Sequence, residues 1–136
     1  MSNGRFRKIY SMPINYIDIS AGIIGFTQKN YRTDKHRHFY IEVAFALKGN
    51  LCVKTIDSEY NNIESIVINS NCLHSFDCIA GECQLYFIDP MSSMGSSLLD
   101  RWLANKKNIS VDGFMSLPDF KKLYVNSNDN QKAPER

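Results

Sequence analysis

The stretch from His36 to Gly49 alternates between two kinds of side chain along most of its length. Its odd positions carry large apolar residues, which are Phe39, Ile41, Val43, Phe45 and Leu47. Its even positions carry titratable, polar or small residues, which are His36, His38, Tyr40, Glu42, Ala44 and Ala46. Alternation with period two predicts a β-strand from about His36 to Leu47, because successive side chains of a strand point to opposite faces. Both histidines and the glutamate therefore share one face of the predicted strand.

The even face suits the wall of a cavity better than a wet surface. Ala44 and Ala46 leave room beside the histidines, whereas a solvent-facing side usually carries Lys, Thr or Ser. The alternative is an ordinary antiparallel strand with a solvated polar face. The odd face needs cover, because its large apolar side chains would form an exposed patch bigger than monomers tolerate. A C-terminal helix is the first candidate for this cover, and the second subunit of a homodimer is the next.

A third histidine extends this pattern. His74 lies in another apolar run, residues 65–76, which an Asn/Ser turn interrupts. Two His and one carboxylate on one strand, with a His from a neighbouring strand, form a donor set that binds first-row transition metals. The candidate ligands for one divalent ion (Zn, Fe, Mn or Ni) are His36, His38, Glu42 and His74. The alternative is a set of hydrogen-bonded polar groups around an organic ligand.

The spacing His-x-His, three residues, Glu, six residues, Gly in residues 36–49 resembles the first signature of the cupin superfamily. His74 matches the second cupin signature, in which Asn69, Asn71 and Cys78 replace the usual Pro, Gly and final Asn. The resemblance implies an all-β fold, the cupin double-stranded β-helix (jelly-roll barrel), with the same four residues as metal ligands. One or two short C-terminal helices follow the barrel in this prediction.

One cupin subgroup is similar to the chain over a longer stretch. Residues 36–49, 73–76 and 84–95 resemble the amino-terminal sensing domain of AraC-type transcription regulators. This resemblance implies a small-molecule-binding module that forms a homodimer and, without helix-turn-helix motifs, makes no direct contact with nucleic acid. The ligand-binding residues expected on this hypothesis are Tyr40, Glu42, His38, His74, Tyr86 and Gln84. The alternative is a metal-dependent cupin enzyme, which would be an oxygenase, isomerase or lyase with a three-His, one-Glu site.

Size and composition set the remaining limits. The 136 residues suffice for one domain, predicted over residues 1–125, with a disordered polar tail at 126–136. A net charge of +2 gives no electrostatic reason to expect nucleic acid or an anionic membrane. The sequence has no apolar run of about 18 residues and no signal peptide, which predicts a cytoplasmic protein. Its four cysteines have no Cys-x-x-Cys spacing, which predicts reduced, buried thiols.

Short apolar runs predict the other elements. Strands are expected at residues 5–10, 14–20, 22–28, 51–56, 63–69, 74–77 and 84–89. Residues 29–35 are expected to form a loop and residues 57–62 a polar turn, while residues 51–56 form a hairpin with the strand before Gly49. A helix capped by Ser96 or Ser97 and a second helix starting at Ser116 complete the prediction.

Overall fold

Strands dominate the part of the chain that the structure, a computed structural model, describes, which is residues 14–103, 110–111 and 114–123. The strands are β1 (Ile14–Asp18), β2 (Ile23–His36), β3 (Ile41–Lys48), β4 (Leu51–Thr55), β5 (Glu59–Ile63), β6 (Ser65–Ile68), β7 (His74–Ile88) and β8 (Ser110–Val111). The helical elements are α1 (Ser93–Leu98), a π-helical turn (Leu99–Leu103) and α2 (residues 117–123). The strand predicted at 5–10 and the tail predicted at 126–136 lie outside the described residues.

The fold is organised around β7. This strand pairs with β2 along its whole length, from Ile23 opposite Ile88 to His36 opposite His74. On its other side it pairs with β4 near its start and with β3 near its end. Two branches therefore share β2 and β7, since β3 continues to β6 and β8 whereas β4 continues to β5. Antiparallel strands wrapped in this way form a jelly-roll barrel, which confirms the predicted all-β fold class.

Apolar side chains from both branches fill the barrel interior. The buried residues of this cluster include Phe26, Ala44, Leu51, Val53, Ile63, Ile66, Ile68, Phe76, Leu85 and Phe87. Ala44 is completely buried among them. The room that this alanine leaves is therefore taken up by neighbouring apolar side chains, so the even face of β3 does not line the wide cavity expected at this position.

The strand predicted from His36 to Leu47 is wrong at its amino-terminal end. β2 ends at His36, residues 37–40 form a bend, and β3 begins at Ile41. In the bend, the backbone oxygen of His38 accepts a hydrogen bond from Asn71 N at 2.8 Å. These residues bind the neighbouring turn instead of a strand, which the alternation of side chains does not reveal.

Strand pairing also differs from the prediction in the segments around this bend. Residues 29–35 belong to β2, because two bulges keep the polar segment paired with β7. Residues 57–62 contain most of β5, and β4 pairs with β5 and β7 rather than forming a hairpin with β3. The segments 29–35 and 57–62 have the polar composition of a turn, but their backbones pair with a neighbouring strand.

The two strands predicted at 74–77 and 84–89 are one strand, β7, which bends near Gly81 and runs unbroken from His74 to Ile88. Ala80 adopts a positive φ of 62°, which re-aims the strand without ending it. A Cβ atom at Gly81 would lie 2.5 Å from the backbone oxygen of Lys48, so only glycine allows this close approach. The glycine therefore marks a close contact between backbones and not a chain reversal.

Helix α1 begins earlier than the sequence predicts, because Ser92 is its N-cap instead of Ser96 or Ser97. The Ser92 hydroxyl accepts a hydrogen bond from Gly95 N at 3.0 Å. The predicted cap of α2 is confirmed, because Asp119 N donates to Ser116 Oγ at 3.3 Å. Among the described residues, no helix has the length and apolar character needed to cross a membrane.

The C-terminal elements cover the outer face of β3, as the sequence predicts. Ile41, Val43 and Phe45 are buried in a second apolar cluster with side chains of α1, the π-helical turn and α2. The ring of Phe45 lies 5.5 Å from the ring of Phe120, measured between centroids. β3 thus separates two environments, with the helices on its odd face and the barrel interior on its even face.

Candidate metal centre

All three histidines of the chain meet beside Glu42 at one end of the barrel. His36 is the last residue of β2 and lies opposite His74, the first residue of β7. Glu42 is the second residue of β3, and His38 lies in the 37–40 bend between β2 and β3. The centroids of the three imidazole rings are 4.5 to 5.2 Å apart. The structure therefore brings together all four predicted metal ligands.

Each histidine uses Nδ1 to bind a backbone carbonyl two residues away. The acceptors are the oxygens of Asp34 for His36 (2.7 Å), Tyr40 for His38 (3.1 Å) and Cys72 for His74 (2.7 Å). A carbonyl oxygen only accepts hydrogen bonds, so Nδ1 carries a proton in all three rings. In the neutral imidazole, Nε2 is then the atom with the lone pair that binds a metal.

The carboxylate of Glu42 faces the Nε2 atoms of His38 and His74. Its Oε1 lies 3.0 Å from Nε2 of His38 and 3.4 Å from Nε2 of His74. A carboxylate oxygen and an imidazole lone pair are both acceptors, so they repel each other unless a proton or a cation lies between them. The side chain of Glu42 is only 3% exposed, so water screens this repulsion weakly. The arrangement therefore favours a positive charge at its centre.

The surroundings keep Glu42 ionised and His36 neutral. Burial by itself would raise the pKa of Glu42, but hydrogen bonds and positive charge from His38 and His74 hold this pKa well below its usual range, and a metal ion would take the place of the Nε2 protons that these hydrogen bonds need. Burial lowers the pKa of His36. Glu42 is therefore a carboxylate and His36 a neutral imidazole at neutral pH, and metal ligands must be deprotonated in this way.

The four donor atoms also have a separation that one ion can bridge. They lie within 4.8 Å of one another. Zinc bonds of roughly 2.0–2.2 Å to nitrogen and oxygen put the donors of one ion at most about 4.4 Å apart, so the widest pair needs only a small closure. Among the described residues this is the one group of at least three His, Cys, Asp or Glu side chains with such spacing. Four protein donors leave coordination positions for water or a ligand on a six-coordinate ion.

Aromatic rings border the histidines at the 37–40 bend. Tyr40 stacks on Phe87, with ring centroids 5.4 Å apart and planes inclined by 14°. Each of these two rings also lies 5.6 Å from the imidazole of His38. Phe87 is directly opposite Glu42 in the ladder between β3 and β7, so the two side chains share a face. Tyr40 thus lies beside the predicted metal ligands, as the sequence predicts.

Tyr86 and Gln84, which the sequence predicts as ligand contacts, lie on the other face of β7. The ring of Tyr86 packs against Phe120 at a centroid distance of 4.8 Å. The Gln84 amide exchanges hydrogen bonds with Asn15 and accepts one from the Thr27 hydroxyl. The structure therefore does not bring these two side chains to the histidines. Both faces of β7 are buried here, so alternation alone does not indicate which face points into the barrel.

Sequence reasoning missed the carbonyl groups that orient the imidazoles and the ring of Phe87 beside them. Every residue has a backbone carbonyl, so nothing in the sequence marks those of Asp34, Tyr40 and Cys72 as acceptors. Phe87 belongs to the apolar run that ends β7, and its position opposite Glu42 depends on strand register. The only usable signal is that each acceptor lies two residues from its histidine.

Comparison with known proteins finds relatives of the fold. No family profile matches the sequence, and no curated protein matches it. Solved structures that resemble the chain include a cupin-2 domain containing protein from Shewanella frigidimarina, with 15% identity and a TM-score of 0.44 over 63% of this chain and 90% of that one. A second is protein NMB1881 from Neisseria meningitidis, with 16% identity and a TM-score of 0.43 over 58% of this chain and 84% of that one.

A third solved structure is an oxalate decarboxylase from Bacillus subtilis with Mn(II) centres, which has 17% identity and a TM-score of 0.42. The match covers 75% of this chain and 37% of that enzyme, so this chain spans little more than a third of the enzyme's length. Likeness at this level concerns the fold. The interpretation of the histidine site therefore depends on the residues of this chain.

Proposed function

We propose that this chain binds one divalent first-row metal ion (Zn, Fe, Mn or Ni) through His36, His38, Glu42 and His74 and uses the ion to hold a small ligand. The observation that carries the proposal is the bonding of all three Nδ1 atoms to backbone carbonyls, which leaves three Nε2 atoms for one centre. A cluster with only a packing role does not require the same tautomer of three imidazoles. A bound divalent ion would supply Lewis-acid polarisation of an oxygen donor on the ligand.

The residues of the chain prepare this site in three ways. The backbone carbonyls fix the planes of the imidazoles and raise the basicity of their Nε2 atoms. The carboxylate of Glu42 offsets part of the charge of a cation, and its burial strengthens that attraction. The packed interior excludes water from the barrel side, so a ligand approaches past His38, whose side chain is 17% exposed.

An enzymatic role would place this site in oxygenase, isomerase or lyase chemistry. Such a reaction needs a protic group beside the metal-bound ligand, and Tyr40 is the candidate. Its carbonyl binds His38 and its ring lies 5.6 Å from the same imidazole, so its position is tied to a metal ligand. The phenol hydroxyl of Tyr40 would donate or accept the proton, while Glu42 remains a ligand.

A sensing role is the second candidate, and the alternation of β3 favours it. Glu42 belongs to the metal site, whereas Phe45 on the opposite face packs against Phe114 and Phe120. Binding that shifts β3 would therefore alter the packing of α2. This role is the one implied by the resemblance to AraC-type sensing domains, and the homodimer and the cytoplasmic location remain predictions with it.

Amide hydrogen exchange tests the sensing role. We expect Zn(II) to change the exchange rates of residues 114–123, because β3 joins them to the site, and to leave β5 at Glu59–Ile63 nearly unchanged. Mass spectrometry of peptides from metal-free and zinc-loaded protein gives this comparison. Equal exchange in 114–123 with and without bound zinc would remove the support for a sensor while leaving metal binding intact.

Metal loading tests the proposal itself. We expect protein freed of metal by a chelator and then incubated with Zn(II), Mn(II), Fe(II) or Ni(II) to retain about one equivalent of at least one of them. The three histidines should then give three imidazole NMR signals that all shift or broaden together, because all of them belong to the site. Retention far below one equivalent for every metal would contradict the proposal. So would an imidazole NMR signal that stays unchanged when metal is added.

A further inference from the structure

A ligand can reach the proposed metal centre from only a small part of its surroundings. His74, Glu42 and His36 are buried, whereas the side chain of His38 is 17% exposed. His38 lies in the 37–40 bend, next to Tyr40, which is 43% exposed. The barrel interior behind the histidines is filled by buried apolar residues. The ligand must therefore bind at the rim formed by His38 and Tyr40, and not inside the barrel.

The aromatic pair at this rim has one covered ring and one accessible ring. Phe87 is buried and lies under Tyr40 in a nearly parallel stack. Phe87 covers part of one face of the Tyr40 ring, and the exposure of Tyr40 shows that much of the rest remains accessible. Parallel rings are a surface on which a flat group stacks well, whereas a saturated ring makes poorer contact.

The charge of the proposed metal site indicates which polar group such a ligand would carry. A divalent ion with the single carboxylate of Glu42 and three neutral imidazoles has a net charge of about +1. The buried surroundings of Glu42 strengthen the attraction for an anion. A carboxylate neutralises this charge and supplies an oxygen donor to the ion.

We infer that the rim of Tyr40 and Phe87 beside the metal centre is a binding site for flat carboxylates, such as aromatic acids. The carboxylate binds at the open positions of the ion, and the flat ring lies on the exposed face of Tyr40. Tyr40 keeps its position because its carbonyl accepts the hydrogen bond of His38 Nδ1 and its ring rests on Phe87. This inference rests on the proposed metal site and adds the class of its ligand.

Three carboxylates on the zinc-loaded protein test the inference. Benzoate has the carboxylate and a flat ring, cyclohexanecarboxylate has the carboxylate and a puckered ring, and acetate has the carboxylate alone. We expect benzoate to bind about 3- to 10-fold more tightly than cyclohexanecarboxylate, because only the flat ring stacks fully on Tyr40. Calorimetric titration gives the ratio, and magnetisation transfer from the Tyr40 ring to the benzoate protons gives the position.

Matched variants separate stacking from metal binding. Tyr40→Leu should lose the preference for benzoate and keep the zinc affinity within a few fold, because the carbonyl that binds His38 belongs to the backbone. Tyr40→Phe should keep the preference, and Phe39→Leu, at an exposed neighbouring aromatic residue, should not alter it. An unchanged preference in Tyr40→Leu with zinc bound overturns the inference and leaves the metal site standing. Failure of the wild-type protein to retain metal overturns both.

Discussion

Replacing Glu42 with Gln should lower the affinity for a divalent metal by at least about 100-fold, since loss of a supporting outer contact alone costs 10- to 100-fold. Glu42 is the one anionic member of the proposed ligand set, and its carboxylate is buried against His38 and His74. The amide has almost the same shape but no charge, so a cation would be surrounded by neutral donors only. Competition with a chromophoric chelator measures the affinity, and thermal unfolding with and without Zn(II) gives a second reading.

The matched control for this variant is Glu64→Gln, which makes the same change at an exposed carboxylate. We expect its metal affinity to equal that of the wild-type protein. His74→Asn should behave like Glu42→Gln, because it removes a donor held by the carbonyl of Cys72. If Glu42→Gln kept the metal affinity of the wild-type protein, with the fold intact by circular dichroism, the carboxylate would not be a metal ligand. The proposed ligand set would then be wrong.

The alternation of the 36–49 stretch predicts both faces of β3 correctly. Glu42 and Ala44 lie toward the barrel, whereas Ile41, Val43 and Phe45 lie under the helices. This succeeds because β3 is regular from Ile41 to Ala46, so period two in sequence is period two in space. Alternation does not account for the histidines, because His36 ends β2, His38 lies in the bend and His74 begins β7. The spacing that resembles the cupin signature is what marked them, together with Glu42, as candidate ligands.

The predictions that the structure contradicts depend on how the strands pair, which the alternation of side chains does not determine. Bulges in β2 keep residues 29–35 in the ladder, although their composition is that of a loop. The face of β7 on which Gln84 and Tyr86 lie depends on the register of β7 against β3, and both faces of β7 are buried. The Nδ1 acceptors are backbone atoms, which no residue type marks. Residue pattern thus identifies the donors, and only the folded backbone shows how they are oriented.

Replacing Phe120 with Ala should destabilise the fold by about 3–5 kcal/mol, the usual range for a buried Phe. Phe120 is completely buried, and its ring lies 4.8 Å from that of Tyr86 and 5.5 Å from that of Phe45. Helix α2 is too short to be stable in isolation, so its attachment depends on these contacts. The midpoint of thermal unfolding should fall by roughly 10–20 °C for a chain of this size.

Leu117→Ala in the same helix is the matched control, because Leu117 is only partly buried against the same cluster and should cost about 1 kcal/mol. The Phe120 variant should still retain one equivalent of metal at low temperature, because Glu42 lies on the opposite face of β3 and the histidines lie outside β3. If Phe120→Ala lowered the free energy of unfolding by less than about 1 kcal/mol, α2 would not be an important cover for the outer face of β3. In that case the apolar face of β3 would need another cover, and the proposed link from Glu42 through Phe45 to α2 would be broken even if the metal site is correct.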